Sequence, residues 1–428
     1  MIKQENGVSL FRIWKRTLTA ENTVVEGVRF DENEQCVVVS VRPDARRRQR
    51  CGRCRLPAAR YDHGRGRRRW RDLDHGVIRV FLEADAPRVA CREHGVTAAA
   101  VPWARHGAGH THAFDRQTAW MAAECSKTAT AQLMRTSWRT VGNIVERFVA
   151  DRDRHTDRLN GLRRIGIDEI SHRKGQKYMT VVVCHDSGKV AWMADGHGKS
   201  VLHAFFDALG AERTGRLTHI SADGALWIAE VLTERAPHAL RVMDPFHVVA
   251  WATEALDTKR RASWNRARRE LGDAERARAL KDSRFALWKN EADLTDRQAA
   301  KLTWIAATDP RLHRAWHLKE ALRAVFTLAR TRPTAALKAL DRWISWARRC
   351  RIDAFADLQR RIRRHYDAIR AALTTGMSNG LIESTNTKTR LIIRRGFGFH
   401  TAEAIIALVM LTLAGDKPTL PGRQPTTE

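Results

Sequence analysis

Apolar positions along the chain recur with two different spacings, and the changes of spacing mark its organisation. In the first hundred residues they alternate. Thr23 to Val28 and Cys36 to Val41 are short half-apolar runs on either side of the polar turn Asp31 to Glu34. RRRWRDLD from Arg67 and VIRVFLEADAPRVAC from Val77 continue the pattern, and a period of two predicts strands. From Phe114 to Ala150 the period becomes 3.6 and predicts helices over Phe114 to Cys125, Thr128 to Met134 and Ser137 to Ala150. Ser137 caps the third, and Val141, Ile144, Val145 and Phe148 form its inward face. Strand patterning returns at Ile165, Ile167 and Ile170 around Asp168, then in the β-branched run Met179 to Cys184 and in Val190 to Ala194. Leu217 to Ser221 and Ala239 to Met243 follow as strands, alternating with helices over Ser200 to Leu209 and Leu226 to Arg235. Phe246 to Leu373 is helical throughout, and its seven tryptophans, Trp251 to Trp346, are expected in its core. Ser378 caps a helix that carries Glu383 in its first turns. Ala404 to Leu413 is too short to cross a bilayer and is expected as a buried helix.

Three antiparallel strands followed by alternating helices and strands is the order of the RNase H-like fold. The expected class is therefore an α+β multidomain chain. Residues 1–106 form a β element and zinc ribbon, and 107–150 a helix-turn-helix. Residues 161–247 form the first part of an RNase H-like α/β core, 248–375 an all-α insertion and 376–414 the last core helices. The Pro-containing segment 415–428 is expected to be a disordered tail.

Charge narrows the partners. The 428 residues hold 76 Lys plus Arg against 48 Asp plus Glu, a net charge of +28, while 43% are hydrophobic. A folded body this basic implies a polyanionic partner, and double-stranded DNA is the expected one. No apolar run approaches the roughly 20 residues of a membrane span, and the first residues carry no secretory leader pattern, so a cytoplasmic, nucleoid-associated protein without membrane contact is expected.

CGRC at Cys51 to Cys54 and CREH at Cys91 to His94 form two tight ligand pairs suited to one tetrahedral Zn²⁺ through Cys51, Cys54, Cys91 and His94. His63 and His75 stand as alternatives for the fourth ligand. In the helix-turn-helix the third helix would present Trp138, Arg139, Asn143 and Arg147 to base edges or phosphates. Asp168 in its strand, Asp223 at the end of the fourth strand and Glu383 on the late helix supply acidic oxygens from three elements. Two Mg²⁺ or Mn²⁺ ions at such a set can assist in-line displacement at a phosphodiester. Lys388, Arg390, Arg394 and Arg395 on the Glu383 helix would grip phosphates. Glu169 is expected on the other strand face in a surface ion pair. Asp244 competes with Asp223 for the second acidic position, since both follow a strand.

The ordered set CGRC, CREH, helix-turn-helix, GIDEISHRKGQKY, SADGA, DPFH and SNGLIESTNTKTRLIIRRGFGF resembles the DDE transposases of bacterial insertion sequences, in particular the ISL-three family. His94 stands where that family commonly has a cysteine. The resemblance implies that Asp168, Asp223 and Glu383 are the catalytic triad, with Asp244 and His247 of DPFH as supporting or DNA-positioning residues. It also implies binding of terminal inverted repeats, metal-assisted hydrolysis that exposes 3′-OH ends, joining of those ends to target DNA, and at least a dimer at synapsis. The rival from another class is a non-catalytic regulator that keeps the ribbon and helices but cuts nothing. A tyrosine recombinase built on Tyr366 and a HUH nickase built on His110 and His112 fit the local residues poorly.

Overall fold

The alternating N-terminal segments pair as strands in two small sheets. β1 (Thr23–Asp31), β2 (Cys36–Pro43), β5 (Arg79–Asp85) and β4 (Arg67–Arg71) lie in the order β1-β2-β5-β4, while β3 (Ala59–Asp62), β6 (Arg88–Cys91) and β7 (Gly95–Ala98) form a three-stranded sheet. The structure, a computed structural model, describes residues 14, 18, 20–173, 177–399 and 401–423. It divides the chain into two compact units, Met1–Thr156 with Arg394–Glu428 and Asp157–Ile393.

Val39, Val41, Trp70, Val80, Leu82 and Trp103 close the core of the four-stranded sheet. On its polar face Arg69 bridges Asp31, Glu34 and Glu83. Three helices follow, α1 (His112–Glu124), α2 (Lys127–Leu133) and α3 (Trp138–Asp153). Each begins at a hydroxyl that accepts a backbone N–H two or three residues inside: Thr111 from Phe114, Ser126 from Ala129 and Ser137 from Thr140. Arg135 takes a left-handed φ of 50° in the tight turn before α3. The expected inward face of α3, Val141, Ile144, Val145 and Phe148, is buried.

In the second unit β8 (Arg164–Arg173), β9 (Lys177–Cys184) and β10 (Val190–Asp195) pair antiparallel. After α4 (Lys199–Leu209) and the single turn α5 (Ala211–Thr214), β11 (His219–Ala222) returns beside β8. α6 (Leu226–Arg235) then leads to β12 (Leu240–Met243) on the far side of β11. Both new pairings are parallel, so the sheet order is β10-β9-β8-β11-β12. Ile165, Ile167, Val182, Ile220 and Ala222 pack with Leu202, Phe205 and Phe206 of α4 and with Ile228, Val231 and Leu232 of α6. Alternation sends Gly166 and Asp168 to the opposite face.

Eight helices come next: α7 (Pro245–Arg269), α8 (Ala274–Asp282), α9 (Arg284–Trp288), α10 (Asp296–Thr308), α11 (Pro310–Ala329), α12 (Pro333–Arg349), α13 (Asp353–Arg364) and α14 (Tyr366–Thr375). Their shared core includes Trp251, Trp316 and Trp343, with Trp264 and Trp304 packed against it, whereas Trp288 and Trp346 stay partly exposed. α15 (Gly380–Arg395) then lies over the sheet, where Ile382 occupies the space a side chain at Gly166 would need.

The segment 376–414, expected to belong wholly to the α/β core, is divided. The boundary between the units falls in the last turn of α15, and α16 (Ala402–Leu413) packs on α1 and α3 of the first unit. A helix apolar on nearly all sides must be enclosed, and those two helices supply the surface. Within residues 415–423, expected as disordered, Asp416 and Pro418 are buried and Lys417 pairs with Glu124 at 2.7 Å. Residues 424–428 of that expected tail lie outside the described residues, as do 174–176 within the motif GIDEISHRKGQKY.

The close seating of α15 makes Gly166 a sensitive position. An added Cβ there would stand 2.0 Å from Ile382 Cδ1 and 3.0 Å from His185 Nε2. Gly166→Ala is expected to cost about 1–3 kcal/mol of stability through overpacking. Thermal denaturation of the full chain measures it, and an unchanged melting temperature contradicts this account of the helix–sheet contact.

Candidate active site

Parallel register brings the acidic residues of the second unit to neighbouring places. Ser221 pairs with Gly166 on β8, and Ala222 with Met243 on β12. Continued by two residues, the first ladder brings Asp223 level with Asp168. Continued by one, the second brings it level with Asp244, with strands about 4.8 Å apart. The three aspartates therefore stand in a row across β8, β11 and β12.

Their surroundings differ. Asp168 is half-buried; its Oδ1 accepts the Glu169 N–H at 2.8 Å and its Oδ2 accepts Asn386 Nδ2 at 2.6 Å. Asp223, also half-buried, accepts the Ala225 N–H at 2.9 Å, while Arg241 donates at 3.2 Å to its backbone carbonyl. Asp244 is buried and already satisfied. It caps α7 through the Phe246 N–H, accepts the Asn379 N–H at 3.4 Å and holds His247 Nδ1 at 2.9 Å. Between the two competitors, Asp223 is the one with a carboxylate open to a ligand. Glu383 is exposed, in the first turn of α15.

Electrostatics tie the set together. Burial pushes the Asp168 carboxyl above the usual carboxylate range, with the Asp223 charge adding to it, against the Glu169 N–H, His247 and Asn386. Burial raises Glu383 too, followed by the charges of Asp244 and Asp168. His247 is raised by its hydrogen bond to Asp244 and by the charges of Asp223 and Asp168. Among the described residues no Lys or Arg forms an ion pair with Asp168, Asp223 or Glu383, although the chain carries 28 surplus positive charges. Acidic residues elsewhere, such as Asp31, Asp62 and Asp115, do hold arginines. Hard oxygen donors without an organic cation suit a divalent ion, so the donor set fits Mg²⁺ or Mn²⁺. The triad is more open than a single-ion cage: among the described residues its oxygens do not gather within 4.8 Å of one another.

Among the described residues Glu169 forms no ion pair, unlike the surface pair expected for it. It is half-buried on the opposite sheet face near His197 and the Gly198 backbone, with Oε1 unpartnered, because that face of β8 is covered. Sequence patterning also missed Asn386 and Arg241. Asn386 lies three residues after Glu383 on one helix, a spacing that places both on one side and could have drawn notice. Nothing local marks Arg241.

The first unit holds a separate cluster. Cys51, Cys54, Cys91 and His94 offer ligand atoms that all lie within 4.8 Å of one another. Cys54 Sγ and Cys91 Sγ are 3.7 Å apart, and His94 Nδ1 is 3.8 Å from Cys51 Sγ and 3.7 Å from Cys91 Sγ. A tetrahedral Zn²⁺ with Zn–S bonds of about 2.3 Å requires sulfurs about 3.8 Å apart, so the cluster fits zinc. His94 completes it. His63 instead meets Arg60, and His75 the Trp14 ring.

On α3, Arg139 and Asn143 are exposed as expected. Arg147 is half-exposed. It turns toward Asp115 at 3.9 Å with its Nε buried, because α1 places that acid under it. Trp138 is half-covered, with Lys127 Nζ 3.6 Å above its ring. On α15, Lys388, Arg390 and Arg394 are exposed, whereas Arg395 donates to the carbonyls of Ala123 and Glu124 at the end of α1.

The chain thus combines a cluster that fits zinc, three capped helices and carboxylates that fit a divalent cation. A family model described as a transposase, the DDE class of ISL3, matches residues 165–409. One described as the helix-turn-helix domain of transposase family ISL3 matches 99–149, and one described as the zinc-finger of transposase IS204/IS1001/IS1096/IS1165 matches 47–94. The transposase for insertion sequence element IS1557 of Mycobacterium tuberculosis, in two strains, is 56% identical over 425 residues, 94% of this chain and 95% of its own length. The transposase for insertion sequence element IS1001 of Bordetella parapertussis is 25% identical over 378 residues, 86% of this chain and 89% of its own. The chain belongs to the ISL3 family of insertion-sequence transposases, with zinc ribbon, helix-turn-helix and DDE domain in that order.

The purified protein is expected to carry one zinc per chain by elemental analysis. Cys54→Ser should remove it and lower the melting temperature of the first unit. Retention of full zinc by that variant excludes the cluster as the site.

Proposed function

We propose that the protein is an active transposase that binds the terminal inverted repeats of its insertion sequence, cleaves the DNA ends and joins the 3′-OH ends to target DNA. The observation that carries this is that, in so basic a chain, Asp168, Asp223 and Glu383 have no ion-paired lysine or arginine among the described residues, the nearby Arg241 donating to the backbone carbonyl of Asp223 and not to its carboxylate. The strand order, with three antiparallel strands followed by two parallel ones, supports an RNase H-like core, and α7 to α14 are its all-α insertion. Bound at Asp168, Asp223 and Glu383, Mg²⁺ or Mn²⁺ would activate the attacking oxygen and stabilise the leaving oxygen of an in-line displacement.

The chain's own groups do the rest. Asp168 and Asp223 present oxygens from adjacent strands, and α15 carries Glu383 to the same side of the sheet. Asp244 fixes His247 and ties the start of α15 to β12, which keeps these parts in one geometry. Lys388, Arg390 and Arg394 hold backbone phosphates. Arg139 and Asn143 read the ends, with Trp138 bracing α3; Arg147 and Arg395 serve as internal anchors. Pairing of two ends calls for at least a dimer. A transposase acting on bacterial DNA works in the cytoplasm beside the nucleoid.

A labelled duplex carrying the element's end tests this with Mg²⁺ or EDTA. Nicking is expected with Mg²⁺ alone, and Asp168→Asn, Asp223→Asn and Glu383→Gln should each reduce it below detection while leaving DNA affinity within about threefold. Asp244→Asn should lower activity together with thermal stability. Wild-type cutting by Asp168→Asn ends the proposal, and tight binding without cutting under any divalent ion would make the protein a regulator derived from a transposase.

A second measurement addresses the ends. Arg139→Ala and Asn143→Ala are expected to lower discrimination between end and random duplex about tenfold, as loss of one base contact of about 1–3 kcal/mol predicts. Lys388→Ala should instead weaken both duplexes alike and flatten the salt dependence of binding. Unchanged discrimination in both α3 variants would remove α3 as the reading helix.

A further inference from the structure

α15 covers the sheet with an unusual face. Beside Ile382 it buries Asn386 and Thr389, and the Asn386 Oδ1 and Thr389 Oγ1 atoms have no hydrogen-bond partner among the described residues. A helix that only needed to pack on β8 would place apolar side chains there. Asn386 is 3% exposed, yet its carboxamide is engaged on one side alone, by the 2.6 Å bond from Nδ2 to Asp168 Oδ2. An ionised carboxylate only accepts hydrogen bonds, so the amide nitrogen must face Asp168, and this fixes which way the carboxamide points. Oδ1 shares a carbon with Nδ2 and therefore lies beside the same carboxylate, inside the protein and unused. A buried carbonyl left unsatisfied calls for an explanation.

We propose that Asn386 is a positioning residue of the active site, whose Nδ2 sets the Asp168 carboxylate and whose Oδ1 is a neutral oxygen donor toward the divalent cation held there. This rests on the assignment of Asp168 as a cation ligand. The chemistry suits the place. Nδ2 occupies one lone pair of Oδ2 and leaves others free, so the bond orients Asp168 without blocking it. Backbone and carboxamide carbonyls are ordinary ligands of hard cations, and a neutral one adds affinity without adding to the repulsion among Asp168, Asp223 and Glu383. The spacing of three residues brings Glu383 and Asn386 from a single rigid helix, so α15 would deliver a charged and a neutral oxygen together. Groups that orient a metal's carboxylates commonly change affinity or activity 10–100-fold when removed.

The test uses the full chain and Mn²⁺ as the probe. Mn²⁺ binding is measured calorimetrically and by paramagnetic resonance, alongside Mg²⁺-dependent nicking of end DNA, for wild type, Asn386→Ala, Asn386→Asp and Asp168→Asn. Asn386→Ala is expected to weaken Mn²⁺ binding about 10–100-fold. It should raise by a similar factor the Mg²⁺ concentration for half-maximal nicking, with activity returning at high metal and DNA affinity in EDTA unchanged. Asn386→Asp restores an oxygen donor but sets two carboxylates against each other, so Mn²⁺ should raise its melting temperature more than that of the wild type. Mn²⁺ affinity within twofold of wild type in Asn386→Ala overturns the proposal, as does lost activity at saturating metal with affinity intact, which a merely structural role would give. Should Asn386→Ala fail to fold, a Mn²⁺ stabilisation of Asn386→Asp no greater than the wild type's overturns it equally. Wild-type Mn²⁺ binding by Asp168→Asn is a separate result: it removes the assignment of Asp168 itself.

Discussion

Carboxylates on adjacent strands repel one another, and the parallel register of β8, β11 and β12 sets Asp168, Asp223 and Asp244 level across three of them. Much of the second unit can be understood as management of that repulsion. Asp244 is buried, and three donors meet it: the Phe246 N–H, the Asn379 N–H and His247. Its charge is thereby spent on capping α7 and on joining β12 to the start of α15. Among the described residues Asp168 receives the Glu169 N–H and the Asn386 amide, and Asp223 the Ala225 N–H. One aspartate of the row is structural, and the other two keep lone pairs available.

Holding such groups in place demands a stiff frame. α4 and α6 cover one sheet face with Phe205, Phe206, Leu202 and Val231, so β8 and β11 cannot shift without opening a dense apolar core. On the other face Gly166 lets α15 approach closely enough for Ile382 to fill the place of a side chain. That approach is also what brings Asn386 to Asp168. The same seating therefore places α15 and orients the aspartate. Near Asp223, Gly224 leaves room for the Trp251 ring, whose outer side carries Arg361 at 3.8 Å, so a helix of the all-α segment abuts the loop that follows β11.

How much of this could be read from the chain depended on range. Local patterns were faithful: the isoleucines around Asp168 marked β8, Ser137 marked the start of α3, and the two Cys and His pairs marked the zinc cluster, all within a few residues of their places. Longer relationships were not legible. Asn386 meets Asp168 across 218 positions, and no spacing rule reaches that far. Arg147 was expected outward because helical periodicity put it there, but periodicity is blind to Asp115 on another helix. The apolar run Ala402–Leu413 announced that it must be buried without saying against what. Preference for Asp223 over Asp244 rested on motif order; that Asp244 accepts three hydrogen bonds where Asp223 accepts one, among the described residues, is visible only in three dimensions.

The proposed function also accounts for the contrast between the whole chain and its site. A net charge of +28 draws DNA from a distance and holds it through phosphates, whatever the sequence. The same phosphates are repelled at close range by Asp168, Asp223 and Glu383, which no lysine or arginine offsets among the described residues. A divalent cation reverses the sign of that local field. Under the proposed function cation and DNA would favour each other's binding at this site, and linkage would make the coupling reciprocal: whatever factor the cation adds to phosphate affinity there, the phosphate adds to cation affinity. An arginine in place of the cation would remove the repulsion but would also remove the dependence of one ligand on the other. The unpaired carboxylates are thus a means of confining the charge reversal to the moment when both are present.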